Sequence, residues 1–164
     1  MRAKSTNSLR KRAGKVRPAQ RDDVAAIAEL LAVLGYPSPI AQVERRLTEC
    51  AASRDTAVFV ALSEARVVGV ISFHCIPLFH ADGSLGRITS LVVAPDCRRH
   101  GIGRLLVAKA EEFAWAHGCI RVEVTSGDHR EDAHEFYVQL GYQVDCRRFI
   151  KHRTDRCKTT RVPG

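Results

Sequence analysis

Several features that mark common protein classes are missing from this sequence of 164 residues. No stretch approaches 18 uncharged apolar residues, so a membrane-spanning helix and a membrane partner are not expected. The six cysteines form no Cys-x-x-Cys, and no histidine pair completes a zinc pattern, so we expect no metal. Without a secretory apolar region near the N-terminus, we expect reduced thiols and a cytoplasmic protein.

The motifs of the common nucleotide-binding folds are also absent. Gly-x-Gly-x-x-Gly and Gly-Lys-Ser/Thr do not occur, which argues against a Rossmann fingerprint and a P-loop. Aromatic residues make up 6% of the chain, and Phe149 is the one aromatic residue among the last nineteen. The C-terminal segment therefore lacks a platform on which nucleic-acid bases could stack.

The formal net charge of +8 is concentrated at the two ends of the chain. Residues 1–15 and residues 146–164 each carry +6, whereas residues 16–145 carry −4. Runs of one sign are usually solvated tails, so we do not expect a nucleic-acid partner. We predict a flexible basic leader over residues 1–15, one domain over 16–152 and a basic tail over 153–164. The Arg-rich, acid-free start is also compatible with a transit peptide.

The pattern of apolar residues predicts two helices, then a hairpin, then alternating strands and helices. Helices are expected at about 24–34, 40–50, 103–117 and 131–140. Strands are expected at 56–62, 67–75, 87–93 and 119–125, with a loop at 78–86 and extended chain at 16–19 and 141–152. This order predicts an α/β fold, in which a mixed, mostly antiparallel sheet carries helices on both faces.

The most informative segment joins an apolar strand to a helix through a glycine-containing loop. The strand ends in Leu91, Val92 and Val93, and the loop reads Arg98-x-x-Gly101-x-Gly103. The first turn of a helix has unpaired N–H groups and a partial positive charge, and glycines allow the backbone to close around an anion. We therefore predict a pyrophosphate site over residues 98–104, formed by Arg98, Arg99, His100, Gly101, Ile102, Gly103 and Arg104.

A second segment repeats the strand, loop and helix order about thirty residues later. It reads Ala133-x-x-Phe136-Tyr137-x-x-x-Gly141-Tyr142. Tyr137 is a candidate proton donor on the inner face of the helix. The alternative is an aromatic side chain that only packs in the core.

Together the two segments resemble the GNAT superfamily of acyl-CoA-dependent N-acetyltransferases, over roughly residues 17–148. The resemblance implies the acyl-CoA N-acyltransferase fold and acetyl-CoA as co-substrate. It implies that pantetheine pairs with the backbone of residues 91–93, and that a bulge in that strand turns an N–H toward the thioester carbonyl. It also implies that Tyr137 protonates the departing CoA thiolate, and it leaves a homodimer open.

The sequence departs from the family pattern at the positions of two polar side chains. Many members carry a carboxylate base on the strand that here reads Ile88-Thr89-Ser90. His74, His80, Glu123 or a water molecule remain as candidate bases. Many members also carry Asn where this chain has Arg130, which is the candidate for the corresponding pantetheine contact. Tyr142 stands where Phe is more common.

These features predict direct transfer of acetyl from acetyl-CoA to an amine within a ternary complex. The backbone would polarise the thioester, and Tyr137 would be the general acid. The acceptor, a small-molecule or peptide amine, is not determined by the sequence. The alternative function is a non-catalytic acyl-CoA-binding or regulatory module.

Overall fold

The computed structural model describes residues 14–127, 130–145 and 149–152. Within these ranges the chain forms five strands, β1 (Lys15–Pro18), β2 (Thr56–Ser63), β3 (Arg66–Pro77), β4 (Ser84–Val93) and β5 (Cys119–Val124). The α-helices of the same ranges are α1 (Val24–Leu34), α2 (Ile40–Ala51), α3 (Ile102–Ala116) and α4 (Glu131–Gln139). Short 3-10 turns at Arg21–Asp23 and Pro95–Cys97 lead into α1 and into the loop before α3. The chain divides into two units, Met1–Gly127 and Asp128–Gly164, which are described separately.

The strands of the first unit lie in the order β1-β2-β3-β4-β5. The first four are antiparallel to their neighbours, and β5 runs parallel to β4. Parallel neighbours require a long crossover, which α3 provides. Glu64 and Ala65 both adopt positive φ at the β2–β3 turn, the conformation that a tight two-residue hairpin requires. The prediction of a mixed, mostly antiparallel sheet is confirmed.

Helices cover both faces of this sheet because alternate side chains of β2 and β3 point in opposite directions. Phe59 and Phe73 each lie edge-to-face against Phe113 of α3, with ring centroids 6.1 Å apart. Val58 and Val70 instead line a cavity together with residues of α1 and α2. The centre of the sheet therefore has apolar side chains on both of its faces.

Two regions differ by more than two residues from what the sequence predicts. Residues 84–86 belong to β4 rather than to the preceding loop, which spans residues 78–83. Gly86 had suggested a loop, but a Cβ atom there would lie 2.5 Å from Phe73, so this glycine permits close packing within the sheet. Residues 141–145 and 149–152 were expected to be extended, and they contain no strand.

The second unit contains α4, which begins after Arg130 and is followed by Gly141 at φ 91°. Its aromatic side chains form a small cluster, with the ring of Tyr137 5.1 Å from Phe136 and 5.5 Å from Tyr142, centroid to centroid. Among the described helices of both units, none is long and apolar enough to cross a lipid bilayer.

Candidate active site

Strand β4 has a free edge in its second half. Its parallel pairing with β5 ends at Ile88 and Val124, whereas its antiparallel pairing with β3 continues to Val93. Among the described residues, 89–93 therefore have no strand partner on the β5 side. The three residues predicted to pair with pantetheine, Leu91, Val92 and Val93, lie on this edge. An extended ligand with amide groups can add to such an edge as a peptide strand does.

A β-bulge at Thr89 marks the start of the free edge. Ser72 pairs with Ser90 and Phe73 pairs with Ile88, which leaves Thr89 without a partner in β3. The extra residue allows Thr89 and Ser90 to line the same cavity, although neighbours in a regular strand face opposite sides. The resemblance predicted a bulge within residues 91–93. The strand does contain a bulge, but it lies two residues earlier, and residues 91–93 pair regularly with β3.

The loop between β4 and α3 presents a row of backbone N–H groups. Arg99 (φ 61°) and Gly101 (φ 81°) are left-handed, and left-handed residues within such a turn direct successive N–H groups into an anion-binding concavity called a nest. Helix α3 begins at Ile102, and the N–H of Leu105 is the first to bond back, to Gly101 at 3.1 Å. In the part of the chain that the structure describes, the N–H groups of residues 99–104 have no acceptor. We call residues 98–104 the anion loop.

The anion loop contains three exposed arginines, Arg98, Arg99 and Arg104. Arg98 Nε donates to the carbonyl oxygen of Val93 at 3.2 Å, which ties the loop to the end of β4. None of the three forms an ion pair within the described residues. His100 is also exposed, whereas the side chain of Ile102 is buried and leaves its backbone N–H to the nest. The loop thus combines an unused row of donors with uncompensated positive charge.

The 3-10 turn before the anion loop is held against the β2–β3 hairpin by Arg66. Its guanidinium donates to the carboxylate of Asp96 at 2.6 Å and to Cys97 Sγ at 3.2 Å. The hydrogen bond from Arg66 lowers the pKa of Asp96. Cys97 itself is 1% exposed, so it contributes packing here and is enclosed rather than presented to a substrate.

A chain of hydrogen-bonded side chains crosses β3 and β4 beside the bulge. His74 Nδ1 lies 3.2 Å from Thr56 Oγ1, and His74 Nε2 lies 3.1 Å from Thr89 Oγ1. Ser72 Oγ continues the chain, at 2.7 Å from Thr89 Oγ1 and 2.5 Å from Ser90 Oγ. We call this set the polar chain. Burial lowers the pKa of His74 because desolvation disfavours the imidazolium.

With the exception of Thr56, the polar chain lines a cavity of about 310 Å³ between the sheet and helices α1 and α2. Most of the wall is apolar and comes from Ile27, Leu31, Leu34, Val43, Leu47, Val58 and Val70. Arg46 and Tyr36 also line it, from α2 and the α1–α2 loop. A mostly apolar cavity with a few convergent polar groups is the usual form of a small-molecule site.

The other two candidate bases are placed less favourably than His74. Glu123 accepts hydrogen bonds from Arg87 at 3.2 Å and from Arg121 at 2.8 Å, so two guanidinium groups already neutralise it. Arg87 also donates to Thr125. His80 is an exposed residue of the 78–83 loop.

Tyr137 and Arg130 belong to the second unit, whereas the other predicted site residues belong to the first. Desolvation raises the pKa of Tyr137 to about 12, with an opposing contribution from Arg130. Arg130 precedes α4, and its carbonyl oxygen accepts the N–H groups of Ala133 and His134, each at 3.1 Å. The phenol of Tyr137 is therefore protonated at neutral pH, as a proton donor must be.

The sequence model described as the Acetyltransferase (GNAT) family matches residues 24–142, which include the anion loop and Tyr137. The chain belongs to the GNAT acetyltransferase family. The predicted family, fold and acyltransferase class are confirmed. The match also spans both units of the structure.

Two curated relatives are N-acetyltransferases. This GNAT protein is 40% identical to the aminoalkylphosphonate N-acetyltransferase of Salmonella typhimurium over 92 residues, which cover 56% of this chain and 60% of the relative. It is 30% identical to the glucosamine 6-phosphate N-acetyltransferase of Trypanosoma brucei brucei over 136 residues, covering 79% of this chain and 89% of the relative. The chain thus matches less than two thirds of the first relative's length.

Solved structures share the fold. A transcriptional regulator from Bacillus halodurans C-125 superimposes with a TM-score of 0.78 at 27% identity, covering 85% of this GNAT protein and 99% of that chain. A GNAT family acetyltransferase from Staphylococcus aureus gives a TM-score of 0.73 at 21% identity, with coverages of 86% and 99%.

Sequence reasoning missed much of the cavity. The sequence did not single out Arg46 or the members of the polar chain other than His74, because these residues are far apart in the sequence. One available signal was the alternation of Ser72 and His74 along a strand that is otherwise apolar. The position of the bulge had no such signal.

Proposed function

We propose that this protein transfers acetyl from acetyl-CoA directly to a small amine. The proposal rests on one observation: the free edge of β4 leads directly into the anion loop, and both lie within one backbone segment, residues 89–104. Pantetheine has amide groups that suit a strand edge, and the pyrophosphate that follows suits a nest at a helix start. The strand edge and the anion loop follow one another along the chain, as the pantetheine and the pyrophosphate follow one another in CoA.

The residues of the first unit that would hold acetyl-CoA are those predicted from the sequence. The backbone of Leu91, Val92 and Val93 would pair with pantetheine, and an N–H near the bulge would polarise the thioester carbonyl. The N–H groups of residues 99–104 would bind the pyrophosphate. Arg98, Arg99 and Arg104 would add charge around it.

We propose His74 as the general base. Its lowered pKa favours the neutral imidazole at pH 7, in which one ring nitrogen can accept a proton. With Nδ1–H donating to Thr56, Nε2 accepts from Thr89, and the hydroxyls of Ser72 and Ser90 extend the path along the cavity. An amine in the cavity can therefore lose a proton to His74 through the polar chain.

We propose Tyr137 as the general acid, on the strength of its match to the family tyrosine. Acetyl-CoA supplies the acyl group as a thioester. The amine nitrogen forms the bond to the acetyl carbon, the carbon–sulfur bond breaks, the amine proton goes to His74, and the sulfur takes a proton from Tyr137. Arg130 would contact pantetheine at the position where many members have Asn.

The acceptor is proposed to be a small amine, for which the relatives suggest a first panel. The names of the two curated relatives specify an aminoalkylphosphonate and glucosamine 6-phosphate as acceptors. A volume of about 310 Å³ is at the small end of ligand pockets, which span roughly 300–1,000 Å³. A compact amine therefore fits this cavity better than an oligosaccharide.

The proposal is tested by the release of free thiol from acetyl-CoA with a panel of amines, in the wild type and in Tyr137→Phe. We expect thiol release that depends on the amine, and at least a tenfold lower kcat in the variant with little change in CoA affinity. CoA binding without thiol release from any amine would instead indicate a non-catalytic module. Equal kcat for both proteins across the pH range would remove Tyr137 from the mechanism.

A further inference from the structure

The cavity beside the polar chain has an unbalanced charge. Its lining residues include one guanidinium, Arg46, and no Asp or Glu. The remaining titratable side chains of the lining are His74, Tyr36 and Cys50. Every wall element of the cavity lies within the first unit, and those elements are α1, α2, β2, β3 and β4 together with the α1–α2 loop.

Arg46 is held by neutral partners only. Its guanidinium donates to Ser38 Oγ at 3.1 Å and to Gln42 Oε1 at 3.2 Å, and the side chain is exposed. Within the described residues it forms no ion pair with a carboxylate. Two hydrogen bonds hold the guanidinium at the cavity wall while its charge stays uncompensated.

The acidic residues of the same helix are already paired with other arginines. Glu44 accepts from Arg21 at 2.6 Å, and Glu49 lies 3.7 Å from Arg45. Helix α2 therefore contains two arginines in successive positions with different electrostatic surroundings. Arg45 faces a carboxylate outside the cavity lining, and Arg46 lines the cavity without one.

We propose that Arg46 binds an anionic group of the acceptor, so that the substrate is a small amine with an oxyanion such as a phosphonate, phosphate or carboxylate. This proposal rests on the proposed function, and it assigns a specificity-determining residue to that site. Guanidinium groups bind such oxyanions with charge-assisted, often bidentate hydrogen bonds. The acceptor would place its anion at Arg46 and its amine at the polar chain on the opposite wall.

The same charge distribution disfavours polycationic acceptors. A cavity that contains Arg46 and no carboxylate offers no compensation for additional ammonium groups. An amine that has no other charged group cannot form the ion pair with Arg46, but it brings no additional positive charge for Arg46 to repel. The expected order of preference is therefore anionic amine, neutral amine, polycationic amine.

The test compares wild type, Arg46→Gln, Arg46→Lys and the adjacent control Arg45→Gln with four acceptors. These are 2-aminoethylphosphonate, glucosamine 6-phosphate, glucosamine and the polycation sisomicin. For the two anionic amines we expect Arg46→Gln to lower kcat/KM at least tenfold, mainly through KM. Its KM for acetyl-CoA and its kcat/KM for glucosamine should change less than threefold. Arg46→Lys should retain much of the activity, and Arg45→Gln should match the wild type.

Direct binding of 2-aminoethylphosphonate, measured by calorimetry in the presence of CoA, separates this proposal from the proposed function. If no amine releases thiol, the proposed function fails, and binding that weakens at least tenfold in Arg46→Gln still supports Arg46 as the anion-binding residue. Equal losses for glucosamine and glucosamine 6-phosphate would overturn the proposal. A wild-type preference for sisomicin, or unchanged phosphonate binding in Arg46→Gln, would overturn it as well.

Discussion

Helix α3 has a left-handed glycine at each end, and these two residues provide a matched test of the anion loop. Gly101 (φ 81°) precedes the helix and Gly118 (φ 71°) follows it. A Cβ atom at either position would meet no atom within 4 Å. Substitution by alanine therefore adds backbone strain without a steric clash, and it does so equally at both ends.

The expected loss of stability is the same for Gly101→Ala and Gly118→Ala. An L-residue in the left-handed region costs about 1–2 kcal/mol, and the smaller entropy of the unfolded alanine chain offsets about 0.4–1 kcal/mol of that cost. The net destabilisation is about 1 kcal/mol. For a protein of this size it lowers the unfolding temperature by about 2–4 °C.

The two variants should differ in their affinity for CoA. Relaxation of the strain at residue 101 rotates the N–H groups of the nest away from the pyrophosphate, and losing one charge-assisted hydrogen bond costs about 1.5–3 kcal/mol. We expect Gly101→Ala to raise the Kd for CoA about tenfold or more, and Gly118→Ala to leave it unchanged. Calorimetry gives the Kd, and thermal unfolding without ligand confirms equal strain. Unchanged CoA affinity in Gly101→Ala, with the expected loss of stability, would refute the role of the nest.

Two further predictions concern titratable groups. Burial lowers the pKa of His74, so the acidic limb of the wild-type kcat/KM profile should have its midpoint below the usual value of about 6.5. His74→Gln should remove this limb and lower kcat/KM at pH 7 at least tenfold. The control His80→Gln should keep the limb and the wild-type activity. A pH profile of His74→Gln that retains the limb would contradict the assignment. Asp23 is 5% exposed, and hydrogen bonds from Arg17 at 2.6 and 2.8 Å lower the pKa of its carboxyl group. The pair therefore stabilises the fold fully above the pKa of Asp23 in the unfolded chain, about 3.9. This stabilisation is lost as the pH falls through the lower pKa of the folded state. Arg17→Leu should cost about 1.5–3 kcal/mol in urea unfolding at pH 7 and less below pH 4. An equal cost at both pH values would exclude the ion pair as the cause.

Local patterns were sufficient for most of the fold. The apolar spacing from Val24 to Leu34 and the glycine that follows are local properties, and α1 has those bounds. Gly118 likewise marks the end of α3 in the sequence, and the predicted start at residue 103 lies one residue after the observed start at Ile102. Gly86 was misjudged, because the close approach of Phe73 that requires a glycine comes from a neighbouring strand.

The sequence by itself determined the family, the fold class and the position of the anion loop, because these follow from two short motifs and from the order of helices and strands along the chain. The charge asymmetry between the ends and the body of the chain was also readable there. Only the tertiary structure decided the rest of the candidate site. The bulge at Thr89 is a matter of register between β3 and β4, and the polar chain joins Thr56 to residues 16 to 34 positions later in the chain. Helical spacing alone places Glu49 one turn from Arg45. That Arg46 lines the same cavity as His74, in contrast, depends on how α2 packs against the sheet.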